Sequence, residues 1–270
     1  MNATLLKLGG ELLETEAKVA AVARVVARAS TPLVIVHGGG REIDTALAAA
    51  GIAKRQVDGL RVTDGPTLDI VVSVLAGTIN TRFVAAINAA GGRAVGLTGA
   101  DAGVGPVKRA PAHRAANGDL VDLGLVGEPV RGGAPVLVTS LAHRRFLPVI
   151  ACVGASRKGQ IFNVNADTLA GNLAARLQVT RLVIAGGTPG VLDEQGQTIP
   201  SLDPRDIRAL VRAGTASAGM VAKLTACEGA IRAGVKDVVI VDGRDARQLA
   251  RWLDGAGRNT PTGSGTRVKR

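Results

Sequence analysis

The sequence predicts an α/β protein built on a central, mostly parallel sheet. Three observations carry this expectation. Short apolar runs alternate with stretches in which apolar residues recur at helical spacing. Glycine pairs or triplets follow the first apolar runs, at the points where a strand must turn into a helix. The 46% hydrophobic fraction and 36 glycines lie far from the polar composition of a disordered chain.

Residues 4–8 are the first apolar run and end at Gly9-Gly10; residues 32–36 are the second and end at Gly38-Gly39-Gly40. Between them Val19, Val22 and Val26 mark one helical face. The unit is βαβ, with the right-handed crossover such units adopt, and its loops gather at the carboxyl ends of parallel strands, where open α/β sheets bind ligands. Residues 46–50 continue a helix closed by Gly51, and residues 56–63 alternate as a hairpin about Gly59. Residues 68–90 are helix-prone, stopped by Gly91-Gly92, and residues 94–97 form a strand. From 99 to 133 the chain is rich in glycine and charge; alternation over 120–126 predicts small hairpins, and 147–153 is a strand again.

A second set follows: a helix from 167 to 177, a strand at 181–185, helices at 204–211 and 219–233, a strand at 237–241 and a helix at 246–253. The Gly/Thr/Ser-rich tail after Gly255 is expected to end in mobile residues. One continuous sheet in two functional lobes is expected, with the boundary near Gln178.

Four short motifs can carry chemistry. Lys7-Leu8-Gly9-Gly10 sets a cation beside glycine N–H groups that approach an anion closely. In His37-Gly38-Gly39-Gly40 three unscreened backbone donors follow a buried strand. Such a loop also serves some esterases, but no G-x-S-x-G elbow occurs here. His37 is expected to pack under the turn, with no part in proton transfer. Asn163-Val164-Asn165-Ala166-Asp167 opens a helix; it reads either as a site or as ordinary capping. Gly219-Met220-Val221-Ala222-Lys223 puts a lysine in the early turns of another helix, where most lysines are merely solvated. Neither a Walker loop nor the protein-kinase motifs occur.

In chain order, K-L-G-G, H-G-G-G, G-L-R-V-T at 59–63, N-V-N-A-D and G-M-x-x-K resemble the amino-acid kinase family, most closely its acetylglutamate kinase branch. Gly265-Thr266-Arg267-Val268 is similar to that branch too. The resemblance implies a three-layer sandwich of the amino-acid kinase and carbamate kinase type. It assigns residues 1–178 to the amino-acid substrate and dimerisation and residues 179–270 to the nucleotide. The implied reaction moves the terminal phosphoryl group of ATP onto the side-chain carboxylate of N-acetyl-L-glutamate, a step of arginine biosynthesis.

By that resemblance Lys7 and Lys223 flank the phosphoryl group and Asp167 holds both lysines. Arg61 clamps the substrate's α-carboxylate, Asn163 meets its acylated amino group, and Gly39 and Gly40 complete the substrate contacts. Gly9, Gly10, Gly187, Gly190 and Ser217 lie about the phosphates and nucleotide, with Mg2+ held mainly by ATP and water. No general base is required, because a carboxylate is ionised near neutral pH. Two departures stand out: Gly186-Gly187 replaces the usual Ser/Thr-Asp, removing a carboxylate near the nucleotide, and Ala218 stands where Gly or Asp is usual. A kinase acting on acetylated or carrier-linked aminoadipate, or a non-catalytic amino-acid-binding relative, remain as alternatives.

The net charge of +11 invites a nucleic-acid partner. However, the arginines are scattered, and three phenylalanines, one tryptophan and no tyrosine leave few stacking platforms. Cys152 and Cys227 read as buried hydrophobes, with no metal-binding spacing around them. No leader and no uninterrupted apolar stretch of membrane-spanning length is recognised. The expectation is a cytoplasmic homodimer without arginine feedback, joined through the N-terminal lobe.

Overall fold

A computed structural model describes residues 1–212, 218–254 and 265–269. Eight strands form one sheet in the order Ser201–Leu202, Thr266–Val268, Asp237–Asp242, Arg181–Gly186, Thr4–Leu8, Leu33–His37, Leu147–Ala151, Ala94–Thr98. All neighbours are parallel except Asp237–Asp242 with Thr266–Val268. The central strands Thr4–Leu8, Leu33–His37 and Arg181–Gly186 are buried at every position. This is what a parallel sheet covered by helices on both faces requires of its sequence.

The helices form where capping and apolar spacing agree. Glu16–Ala27 starts at Thr15, whose side chain accepts from the Lys18 N–H, and buries Val19, Val22, Ala23 and Val26. Ala166–Leu177 starts at Asn165 and ends at Gln178 in the left-handed region, φ 49°. The helix-prone stretch at 68–90 is longer than expected: Gly65–Ala89 is one helix, opened by Asp64 and Pro66 and carrying a π segment at Ser73–Ile79. By length and composition it could cross a membrane. Asp69, Asn80, Arg82 and Asn88 interrupt its apolar run, and Leu68, Val71, Val74, Leu75, Ile79, Phe83 and Ile87 are buried in the protein.

A second, four-stranded sheet (Val153–Ala155, Ile161–Val164, Val126–Pro129, Val107–Arg109) and two hairpins lie beside the main sheet. The expected strand at 147–153 therefore divides: the chain leaves the main sheet after Ala151 and enters the smaller one at Val153. Residues 120–126 divide likewise. Leu120–Val121 pairs with His113–Arg114, whereas Val126 opens a strand of the smaller sheet.

Residues 255–264 of the tail lie outside those described, but residues 266–268 depart from expectation. Thr266–Val268 is an interior strand, because the buried Thr266 hydroxyl accepts from the Val191 N–H at 2.8 Å and donates to the Ile199 carbonyl at 2.7 Å. Two bonds to residues 75 and 67 positions away thus outweigh the loop-like composition before it.

Strand order fixes where a ligand can sit. From Thr4–Leu8 the chain runs first to Leu33–His37 on one side and later to Arg181–Gly186 on the other. The reversal leaves a crevice at the carboxyl ends of these strands, flanked by Gly9-Gly10, Gly38-Gly39-Gly40 and Gly186-Gly187.

Candidate active site

Lys7 is the penultimate residue of the first strand and 5% exposed, so its ammonium group must find an acid. It finds Asp167: Lys7 Nζ lies 2.8 Å from Oδ1, and Lys223 Nζ lies 3.4 Å from Oδ2. Three residues from distant parts of the chain thus meet about one carboxylate. Asp167 is held there by the helix start, since Asn165 Oδ1 accepts from the Asp167 and Thr168 N–H groups at 2.9 and 3.1 Å. Of the two sequence readings of this motif, capping describes Asn165.

Lys223 arrives on the helix Ala218–Arg232, which packs closely on Ala166–Leu177 at Gly171. A Cβ at Gly171 would stand 3.0 Å from the Ala226 carbonyl oxygen, so the missing side chain sets the helix separation that brings Lys223 to Asp167.

Lys7, Asp167, Arg61, Asn163, Gly9, Gly10, Gly39 and Gly40 line one cavity of about 250 Å3. This is room for a small molecule. Arg61 sits at the end of the Gln56–Val57/Leu60–Arg61 hairpin. Its Nη2 pairs with Asp44 and donates to the Gly40 carbonyl, while buried Nη1 has no hydrogen-bond partner among the described residues. A buried guanidinium with a donor to spare suits a carboxylate ligand. Asn163 donates to the buried Thr63 hydroxyl at 3.1 Å, which leaves its carbonyl oxygen to accept. Burial pushes the Asp44 carboxyl up, but bonds from Lys54 and Arg61 win and hold it below its usual range.

The glycines divide by role. The Gly9 N–H is committed to the Ala185 carbonyl at 2.9 Å, which corrects the expectation that it donates to phosphate. Gly10 instead permits close approach: a Cβ there would lie 2.7 Å from Gly39 Cα. A Cβ at Gly39 would strike Ile79, whereas Gly40 is open and begins the helix Gly40–Ala49. That helix starts at the cavity with no side-chain cap at Gly39, so the positive end of its dipole is turned to the site. The Gly187 N–H is taken by Glu11 Oε1 at 2.8 Å. Gly190, at φ 155°, packs on Thr266, where a Cβ would lie 2.6 Å from Oγ1, and does not line the cavity. Ser217 lies outside the described residues.

Sequence reasoning missed Asp44, Thr63 and Glu11. Glu11 supplies a carboxylate at the Gly186-Gly187 turn, where the sequence lacks one; its position directly after the first glycine pair was the available signal.

His37 is fully buried beneath the glycine loop, its Nε2 3.0 Å from Asn80 Nδ2 and its Nδ1 3.2 Å from the Gly38 carbonyl. A neutral ring with its proton on Nδ1 satisfies both contacts. Burial holds its pKa down to about 4, against 6.5 in the unfolded chain. The folded state then binds fewer protons than the unfolded one in that interval, so stability falls as pH drops from 6.5 towards 4. Urea titrations across this range should show a loss of about 3 kcal/mol that His37→Gln abolishes.

The fold and this constellation define a class, and the sequence agrees with it: the chain belongs to the amino acid kinase family, whose profile matches residues 2–242. Among its relatives, an acetylglutamate kinase of Rhodopseudomonas palustris (strain BisB5) is 42% identical over 249 residues, 89% of this chain and 83% of that protein. The acetylglutamate kinase of Aromatoleum aromaticum is 45% identical over 213 residues, 78% of this chain and 71% of that one. In fold, the chain resembles N-acetylglutamate synthase from Neisseria gonorrhoeae with a TM-score of 0.81 and 22% identity. It covers 59% of that longer chain. Carbamate kinase from Giardia lamblia matches over 99% of this chain with a TM-score of 0.66 and 15% identity.

Proposed function

We infer that this chain phosphorylates the side-chain carboxylate of N-acetyl-L-glutamate with ATP, the acetylglutamate kinase step of arginine biosynthesis. The observation that carries the reading is Asp167 between the Lys7 and Lys223 ammonium groups at the topological switch point. Both reactants are anionic, so the transition state needs preorganised cations more than a base.

In this reading a carboxylate oxygen of the substrate attacks the γ-phosphorus, the bond to the bridging oxygen breaks, and ADP leaves. Lys7 and Lys223 stabilise the equatorial oxygens and Asp167 orients both lysines. The spare Nη1 of Arg61 supports its contact with the α-carboxylate, and the Asn163 carbonyl oxygen, which takes no hydrogen bond from the described residues, supports its contact with the acetamido N–H. Residues 1–178 serve the amino acid and residues 179–270 the nucleotide. Magnesium, when bound with ATP, neutralises phosphate charge.

An ADP-release assay with N-acetylglutamate, glutamate and N-acetylaminoadipate side by side tests the reading. Turnover confined to N-acetylglutamate is expected; preference for either of the others would overturn it. Arg61→Lys should raise KM for N-acetylglutamate by about tenfold or more at little change in kcat, because an ammonium cannot reproduce a planar two-pronged contact. Steady-state kinetics read the split directly.

A homodimer through the N-terminal half belongs to the same reading. Ala94–Thr98 is an edge strand of the main sheet, and exposed Thr81, Ala85 and Asn88 stand beside it. An edge with no further strand beside it among the described residues, its Ala94 and Thr98 N–H groups held by Asn88 and Asp101, supports pairing with a second copy next to small side chains. Light scattering should give the mass of two chains. The reading also places the enzyme in the cytoplasm, which suits two free, buried thiols.

A further inference from the structure

Among the described residues the Glu11 carboxylate has no salt-bridge partner, in a place built for anions. It follows the Gly9-Gly10 turn on a single 3-10 turn, Gly10–Leu12, and reaches across the switch point to the Gly187 N–H. A Cβ at Gly9 would lie 2.3 Å from Oε2, and a Cβ at Gly186 would lie 3.1 Å from Oε1 and 3.9 Å from Lys223 Cε. The carboxylate therefore sits between two glycine turns, beside the stem of Lys223, and lines the cavity shared with Lys7 and Asp167. Lys18 bonds only its backbone carbonyl, at 2.9 Å, and turns to Glu14. Among the described residues no cation lies within salt-bridge distance of Glu11; Arg244 attracts it from farther away and is itself paired with Asp242 at 2.7 Å.

A carboxylate next to a polyphosphate is repulsive, and glycine donors that serve one anion are lost to the other. A divalent cation between them reverses the sign. Mg2+ is held in nucleotide sites by one or two carboxylates together with phosphate oxygens and water. The donor chemistry fits: one hard oxygen group, and among the described residues no cluster of three His, Cys, Asp or Glu that would hold a metal without nucleotide.

The geometry points to Glu11 as the protein carboxylate that binds the magnesium ion arriving with ATP. The inference rests on the kinase reading and deepens it. It makes metal binding conditional on nucleotide, and it accounts for an acidic side chain lodged between two glycine turns at the switch point.

Mn2+ titrations followed by electron paramagnetic resonance, with and without ADP, test this on the wild type and Glu11→Gln. Calorimetry with ADP in EDTA supplies the metal-free affinity. Glutamine keeps an oxygen for the Gly187 N–H, so the turn is retained while the charge is lost. Wild type should bind Mn2+ tightly only with ADP. Glu11→Gln should weaken that Mn2+ binding about tenfold while metal-free ADP binds as well as before or better. Unchanged Mn2+ affinity in the variant would overturn the inference and leave the kinase reading intact. So would an equal loss of metal-free ADP binding, which would make Glu11 an anchor of the turn. A wild type that binds no ADP, with metal or without, would bring down the kinase reading and this inference together.

Discussion

Lys223→Ala is expected to lower kcat by about 10²–10³-fold, the usual loss when one preorganised charge donor is removed from a transition state. The KM for N-acetylglutamate should change little. Lys223 is the more exposed of the two lysines, 20% against 6%, and stands farther from Asp167, at 3.4 Å against 2.8 Å. Its ammonium group is the less committed to the protein and the freer to follow the phosphoryl oxygens. Lys7 keeps its short contact when Lys223 is lost, so folding should survive, and circular dichroism with a melting curve would show it. Lys223→Arg should recover only part of the rate, because a planar fork delivers its charge differently from a compact ammonium. ADP release under saturating substrates measures both variants. Wild-type turnover in Lys223→Ala would remove this residue from the chemistry.

Much of the molecule was legible in the sequence because its central strands are uniformly apolar and its turns are marked by glycine. Thr4–Leu8 and Leu33–His37 are recognisable from five-residue runs that end in glycine clusters. The helix at Asn165 is recognisable from its cap. What was hidden depends on contacts far apart in the chain. Thr266–Val268 reads as part of a loose tail, and only its bonds to Val191 and Ile199 make it a strand. Gly9 and Gly10 look equivalent on paper; the sheet takes the Gly9 N–H and the facing Gly39 fixes the use of Gly10. Asp44 looks like one more exposed helix acid until the hairpin folds Arg61 against it. Glu11 looks like a solvated acid after a turn, and only the arrival of Gly187, 176 residues later, gives it a partner. Sequence motifs report the residues that approach a ligand, whereas the residues that steady them are chosen by tertiary contact.

Asp167→Asn should be the most damaging single change to the fold as well as to the reaction. The side chains of Asp167 and Lys7 are 7% and 6% exposed, and the carboxylate is shared with Lys223. Replacing it with an amide leaves two ammonium groups facing each other with no counter-charge, one of them buried. Breaking a buried pair by removing one partner costs about 3–5 kcal/mol, far more than the same pair is worth against an apolar isostere. Denaturant titration should therefore show a loss of that order in Asp167→Asn. Lys7→Met with Asp167→Leu should recover much of the stability, since neither charge is then stranded. Activity should be absent in both, because one lacks the group that aligns the lysines and the other lacks a lysine as well. This separation distinguishes a charge triad kept for catalysis from one kept for stability. A double variant as unstable as Asp167→Asn alone would mean that the carboxylate is retained for packing and helix geometry, and that its contact with the two lysines is incidental.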